Sequence, residues 1–84
     1  MPALQGYTLY YKNNCPYSER VRRYMEGLHI ACEMHDVEAP GVADELEAIG
    51  GRVQSPCLVH DGKAMYESEY IVEYLRDLAY RGFA

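Results

Sequence analysis

Hydrophobic and polar positions change period along the chain, and each change marks an element. Leu4 to Tyr11 (LQGYTLYY) is an apolar, aromatic and β-branched run of strand character that stops at the turn formers Lys12-Asn13-Asn14. From Tyr17 the spacing becomes helical. Val21, Tyr24, Met25 and Leu28 form one stripe, while Glu19, Arg20, Arg22, Arg23 and Glu26 take the other face, and the helix is expected to end near Gly27 or Leu28-His29. Ile30 to Val37 (IACEMHDV) alternates again, with Ile30, Cys32 and Met34 facing one way and Ala31, Glu33 and His35 the other. Strand, helix and strand make a βαβ unit, which implies a parallel pair joined by a right-handed crossover.

Glu38-Ala39-Pro40-Gly41 interrupts the pattern, and Val42 to Ile49 then reads as a short amphipathic helix closed by Gly50-Gly51. Pro56-Cys57-Leu58-Val59-His60 and Lys63-Ala64-Met65-Tyr66 flank Asp61-Gly62, the strongest short-range hairpin signal in the sequence, so these strands are expected to be antiparallel. A proline is tolerated at the first residue of a strand. After Glu67-Ser68-Glu69, the residues Tyr70, Ile71, Tyr74, Leu75 and Leu78 recur at helical spacing as far as Ala79 or Tyr80. Ser68 is a potential cap, the acidic residues suit a first turn, and Tyr80 to Ala84 reads as a frayed tail. No repeat or low-complexity segment interrupts this order.

Composition narrows the picture. With 84 residues the chain, 1–84, has room for one small domain, and no second core is expected to fit. A hydrophobic fraction of 49% with nine tyrosines is ample for folding, and no run approaches the length of a membrane span, so no membrane association is expected. No charged start followed by an apolar stretch and a small-residue cleavage site suggests a secretory signal. Three cysteines at wide spacing do not resemble a disulfide framework, and no Cys/His pairs have zinc-site spacing; a reducing, cytoplasmic setting and no metal are expected. The net charge of −5 argues against a nucleic-acid surface. Arg20, Arg22 and Arg23 read as a solvated helix face that would favour an acidic protein partner if it binds anything. His29 and His35 read as surface histidines and Cys32 as a residue packed on the sheet.

Candidate chemistry concentrates at Cys15. Pro16 suits the first helical position, where a missing N–H costs nothing, so Cys15 falls at or beside the N-cap. There the free backbone N–H groups and the positive end of the helix dipole favour a thiolate, the form that attacks disulfides, and Lys12 adds positive charge. Ser18 stands where a second cysteine would complete Cys-x-x-Cys, and its hydroxyl is suited to donate to the thiolate. Cys57 follows Pro56 by one residue, and alternation points it away from that site.

The order β-α-β-α-β-β-α with a cysteine at the first strand–helix junction resembles the thioredoxin fold in its shortest form, a four-stranded mixed sheet with three helices. More closely it is similar to a glutaredoxin or to the glutathione-binding N-terminal domain of a glutathione transferase. Lys12-Asn13-Asn14-Cys15-Pro16-Tyr17-Ser18 resembles the glutaredoxin segment with a Cys-Pro-Tyr-Cys centre and an upstream lysine. Gln54-Ser55-Pro56 resembles the family's segment ending in a cis-proline. Glu67-Ser68 with Ile71 and Tyr74-Leu75 is similar to a recurrent run of transferase N-terminal domains.

The resemblance implies glutathione as co-substrate, with Cys15 and Ser18 catalytic and Lys12, Pro16, Tyr17, Gln54, Ser55, Pro56, Glu67 and Ser68 binding it. Ser55 would hold the cysteinyl part through its backbone. The start of the last helix would take the γ-glutamyl carboxylate, with a Glu carboxylate for the ammonium, and Lys12 and Gln54 would take the glycyl end. Without a second motif thiol, the expected activity is a monothiol oxidoreductase that reduces protein–glutathione mixed disulfides, acting as a monomer on glutathionylated or disulfide-bearing proteins. Two alternatives belong to other classes. One is a [2Fe–2S] carrier ligated by Cys15 and glutathione from two subunits, disfavoured by Pro16-Tyr17 where monothiol relatives have Gly-Phe. The other is a glutathione-binding module related to transferases, for which conjugation by this chain alone is not expected in the absence of an all-helical second domain.

Overall fold

Residues 3–82 are described by the structure, a computed structural model; Phe83 and Ala84, the end of the expected tail, lie outside the described residues. The elements follow in the expected order: β1 (Ala3–Tyr11), α1 (Pro16–Gly27), β2 (Ala31–Asp36), α2 (Val42–Gly50), β3 (Cys57–His60), β4 (Lys63–Tyr66) and α3 (Ser68–Tyr80). One sheet runs in the order β2-β1-β3-β4, with β1 parallel to β2 and antiparallel to β3, and β3 antiparallel to β4. This is the thioredoxin-type arrangement, and β1, the strand that leads to Cys15, is one of its two inner strands.

The chain's length suggests a single core, but alternation along β1 sends residues to opposite faces and builds two clusters, one on each side of the sheet. Tyr7 and Leu9 join Leu58 under α1 and α3, packing with Val21, Met25, Ile30, Ile71 and Leu75. Tyr10 and Cys57 lie on the other face, under α2, where Leu46 is the helix's one buried residue. The sheet thus carries two helices on one side and a single, lightly anchored helix on the other.

The strand and helix ends have local causes. Asp61 and Gly62 both adopt positive φ, 52° and 74°, the pairing that a type I′ hairpin requires. Gly51, at φ 87°, closes α2 by donating its N–H to the Glu47 carbonyl at 2.8 Å. Gly50 matters for a different reason. A Cβ there would overlap the Tyr66 hydroxyl and lie 2.9 Å from both Tyr66 Cζ and Ala64 Cβ, so α2 ends against β4 closer than any side chain permits.

Two local expectations need correction, on the length of β2 and the cap of α3, and a third is met with an edge effect. β2 is shorter than the run Ile30–Val37, although Val37 still donates its N–H to the Tyr11 carbonyl at 2.9 Å. Met34 shares the α1 side with Ile30, as its alternation requires, yet stays 38% exposed because β2 is an edge strand. Ser68 does not cap α3. Glu67 is the N-cap, and Ser68 is the first helical residue, buried under the helix start.

Candidate functional site

Cys15 is the N-cap of α1, in extended conformation (φ −113°, ψ 114°), with Pro16 following as the first helical residue. The thiol is half-buried, and that burial pushes its pKa up. The N–H and hydroxyl of Ser18, the N–H of Tyr17 and the Lys12 charge pull the other way and prevail, leaving the thiol below its ordinary range. No side-chain cap hydrogen bond is closed at Cys15. The donors therefore act as dipoles aimed at the sulfur.

Ser18 is fully buried, and its Oγ accepts the backbone N–H of Lys12 at 3.1 Å. With its lone pairs so engaged, the hydroxyl proton is free to turn toward Cys15. The residue that replaces a second motif cysteine thus ties the end of β1 to the first turn of α1. The other two cysteines are differently placed. Cys57 lies wholly inside the α2 core, where burial pushes its thiol up to about 11. Burial also raises Cys32, whose Sγ sits 3.3 Å from the Glu33 carbonyl oxygen.

A groove of about 380 Å³ lies beside this turn, lined by Tyr17, Gln54, Ser55, Pro56, Glu67, Ser68 and Glu69. Its volume is within the usual small-molecule range of about 300–1,000 Å³. The Ser55–Pro56 peptide is cis. Among the described residues, the backbone N–H and C=O of Ser55 take part in none of the turn, loop or cap hydrogen bonds, so both remain open to an extended ligand. Glu67 holds φ 73°, ψ 115°, a sparsely populated region for a non-glycine residue, as the chain turns from β4 into α3. It makes no side-chain cap bond, so no N-cap side chain closes the first N–H groups of α3, whose first two residues, Ser68 and Glu69, line the groove. Its Oε1 instead accepts from Gln54 Nε2 at 3.2 Å.

Six of the ten sequence-derived site residues therefore converge on one groove: Tyr17, Gln54, Ser55, Pro56, Glu67 and Ser68. Cys15 and Pro16 border a second hollow together with Asn14, Glu19, Arg20 and Arg23. Lys12 lines neither, and the structure pairs Gln54 with Glu67 rather than with Lys12. Glu69 lines the groove as well and links it to α1 through an exposed ion pair, 3.0 Å, with Arg20. Sequence reasoning placed Glu69 only in a helix end. Its signal was proximity to Glu67 at a helix N-terminus, which by itself does not separate a ligand from a capping charge.

The arginines are not simply solvated. Arg22 lies over the Tyr11 ring at 4.6 Å, and Arg23 pairs with Glu19 at 3.0 Å. His35, expected at the surface, is partly buried between Glu33 at 2.8 Å and Glu45 at 2.9 Å. Among the described residues no helix is long and apolar enough to cross a membrane, and no cluster of three or more His, Cys, Asp or Glu forms a metal-binding group.

Comparison with solved structures matches the chain to glutathione transferase Omega 3C from Trametes versicolor at 29% identity and a TM-score of 0.77, covering 87% of this chain and 33% of that one. The beta-etherase LigF from Sphingobium sp. strain SYK-6 matches at 28% identity and a TM-score of 0.74, covering 88% of this chain and 32% of that one. Glutaredoxin C1 from populus tremula x tremuloides, at 17% identity and a TM-score of 0.67, shares the fold over 86% of this chain and 75% of its own. The chain spans about a third of the length of most of the transferases it matches, and 17% of the trimeric one from Leishmania. Comparison with curated proteins gives no match. The sequence model for the glutathione S-transferase N-terminal domain matches residues 9–81, and the chain belongs to that family.

Proposed function

We propose that this domain binds glutathione and acts as a thiol–disulfide oxidoreductase on glutathionyl mixed disulfides, through Cys15 alone. One observation carries the reading: of three thiols, the one at the mouth of a helix is partly open to solvent and shifted down, while the other two are shifted up by burial. Of the three, it is the one whose surroundings favour the thiolate, the form that attacks.

In the first step the Cys15 thiolate attacks the glutathionyl sulfur of the mixed disulfide. The Cys15–glutathione disulfide forms, the original disulfide breaks, and the departing thiolate takes a proton from water. In the second step a glutathione thiolate attacks the same glutathionyl sulfur, releasing oxidised glutathione and restoring the Cys15 thiolate. One glutathione thiol is consumed per turnover: its sulfur rises to the disulfide level as the protein sulfur returns to the thiol level, and the substrate's glutathionyl sulfur stays at the disulfide level throughout, so no other reductant is needed. Ser18 has no thiol to close on Cys15, and the route therefore never passes through an internal disulfide.

The groove supports the binding half of the proposal. Ser55 offers an N–H and a C=O to the cysteinyl backbone, the start of α3 offers N–H groups to the γ-glutamyl carboxylate, and Glu67 and Glu69 suit its ammonium. The chemistry requires a reducing compartment, in keeping with a cytoplasmic location. Exposure to oxidised glutathione followed by intact-mass measurement tests it. One glutathionyl adduct is expected on the parent and none on Cys15→Ser. An adduct that survives the substitution would move the chemistry to Cys32 or Cys57 and overturn the reading.

The family match and the partial coverage of the transferases favour a second reading, a glutathione-binding module of a transferase-type protein. In that case glutathione binds, and Cys15→Ser leaves its affinity intact while no mixed disulfide is turned over.

A further inference from the structure

We propose that the surface running from Cys15 along α1 to the edge of β2 receives the polypeptide half of the mixed disulfide and selects an acidic segment ending in an apolar side chain. The inference rests on the proposed oxidoreductase reading and names its substrate class.

Two adjacent hollows carry it. The first, about 490 Å³, contains Cys15 and Pro16 and is walled by Arg20 and Arg23. The second, about 310 Å³, has an apolar floor of Met25, Ile30 and Met34. Glu19 and Arg23 line both, so the two form one continuous surface. Neither hollow shares a residue with the glutathione groove, which Tyr17 borders from the other side of the same helical turn. A mixed disulfide attacked by Cys15 has two halves, and this surface, which contains Cys15 and shares no residue with the groove, suits the half that departs.

Charge decides what that half looks like. The chain carries a net charge of −5, yet the wall beside the nucleophile presents two arginines against one glutamate. Arg20 and Arg23 are held by Glu69 and Glu19, but the side chains in these pairs are 50–80% exposed. Pairs this exposed exchange partners at little cost, so both guanidinium groups remain open to an incoming carboxylate. Arg22 is already seated on the Tyr11 ring.

Length decides that the occupant is a polypeptide. At a rise of about 1.5 Å per residue, Cys15 and Met25 are roughly 15 Å apart along α1. An extended chain advances about 3.3–3.6 Å per residue, so an apolar side chain four or five residues from the glutathionylated cysteine reaches the Met25–Ile30–Met34 floor. Acidic residues between them pass over Arg20 and Arg23. A small disulfide does not span both hollows.

The test uses four S-glutathionylated peptides that carry, beside the modified cysteine, acidic residues with a leucine at the fourth or fifth position, acidic residues with serine there, neutral residues, or basic residues. Turnover by the full chain with reduced glutathione is followed as kcat/KM. The acidic peptide is expected to exceed the basic one by about ten-fold at low ionic strength, two exposed contacts at roughly three-fold each, with the ratio collapsing at about 0.5 M salt. Arg23→Gln should lower the acidic-to-basic ratio by roughly three-fold, the loss of one exposed contact. Met34→Ser, a change at an exposed position, should erase the preference for leucine and leave the charge preference. Turnover of all four peptides at one rate overturns the docking surface while leaving the oxidoreductase reading in place. Turnover of none overturns both. Equal rates together with a concentration-dependent mass, abolished by Met34→Ser, would assign the apolar hollow to a second copy of the chain instead.

Discussion

Replacing Gly50 by alanine sets two effects against each other. Gly50 has ordinary helical φ at the last residue of α2, and in a helix interior alanine is favoured over glycine by about 1 kcal/mol. Propensity alone therefore expects a gain in stability, smaller at a helix end. The added methyl, however, would overlap the Tyr66 hydroxyl and press on Tyr66 Cζ and Ala64 Cβ, both at 2.9 Å. If the elements hold their positions, overpacking of this kind costs about 1–3 kcal/mol. If Tyr66 swings aside, it gives up its hydrogen bond to the Arg52 carbonyl, 2.9 Å, and the Arg52 guanidinium 4.1 Å above its ring. Those losses are about 0.5–1.5 and 0.5–1 kcal/mol. With the gain reduced to roughly 0.5 kcal/mol at a helix end, either route outweighs it, and Gly50→Ala should destabilise by a net of about 0.5–2.5 kcal/mol.

Urea unfolding reads this as a lower midpoint at unchanged slope. The companion variant Tyr66→Phe removes the overlapping oxygen but leaves Cζ, so the double variant should recover part of the loss, with a coupling of about 1 kcal/mol in a double-mutant cycle. A neutral or stabilising Gly50→Ala, or strictly additive variants, would refute the close approach of α2 to β4. Because the segment after α2 carries Gln54, Ser55 and Pro56, the same variant should weaken uptake of oxidised glutathione by Cys15.

Three further outcomes are expected. Cys15 should alkylate at a pH below that of an ordinary thiol, and Ser18→Ala should move its profile upward, since the variant removes a hydroxyl that favours the thiolate; identical profiles by intact mass would remove Ser18 from the site. Cys57 is raised from 9.0 to about 11, so its native state favours the neutral thiol. Its contribution is fully present below the unfolded pKa and is lost as pH rises through the folded value. The stability difference between the parent and Cys57→Ala should therefore narrow between about pH 9 and 11, and a flat difference would contradict the burial. Leu46→Ala should cost about 2–5 kcal/mol by denaturant titration and weaken glutathione uptake, because Leu46 is the one buried residue of α2; unchanged uptake would uncouple that helix from the groove.

Much of this architecture was legible because period, punctuation and chemistry agreed at each step. Alternation through LQGYTLYY and the helical stripe from Val21 to Leu28 put Cys15 at their junction, and Pro16 fixed which side of the cap it occupies. Asp61-Gly62 announced its hairpin by residue type alone. The cis peptide at Pro56 was carried by resemblance, since nothing local separates cis from trans.

Other features depend on contacts made across the fold. Glutamate has no intrinsic preference for positive φ, so Ser68 looked the better cap until β4 and α3 forced the turn onto Glu67. Gly50 and Gly51 looked like one helix stop, but only the approach of Tyr66 gives Gly50 a role of its own. Met34 follows its strand's alternation and is open because β2 has a neighbour on one side only, a property of strand order that no local pattern encodes. Lys12 and Gln54 were joined by a shared ligand, whereas in the fold Gln54 lines the groove and bonds Glu67, and Lys12 acts on Cys15 by its charge.

The backbone of Glu67 has a consequence for how this domain would respond to selection. A left-handed, non-helical conformation in a residue with a Cβ is worth of order 1–3 kcal/mol of local strain, and glycine would relieve it. Glycine there also discards the carboxylate that anchors Gln54 and faces the groove. Heat resistance and ligand capture thus pull residue 67 toward different amino acids, and a population screened only for thermal endurance should drift toward a sturdier domain with an emptier groove.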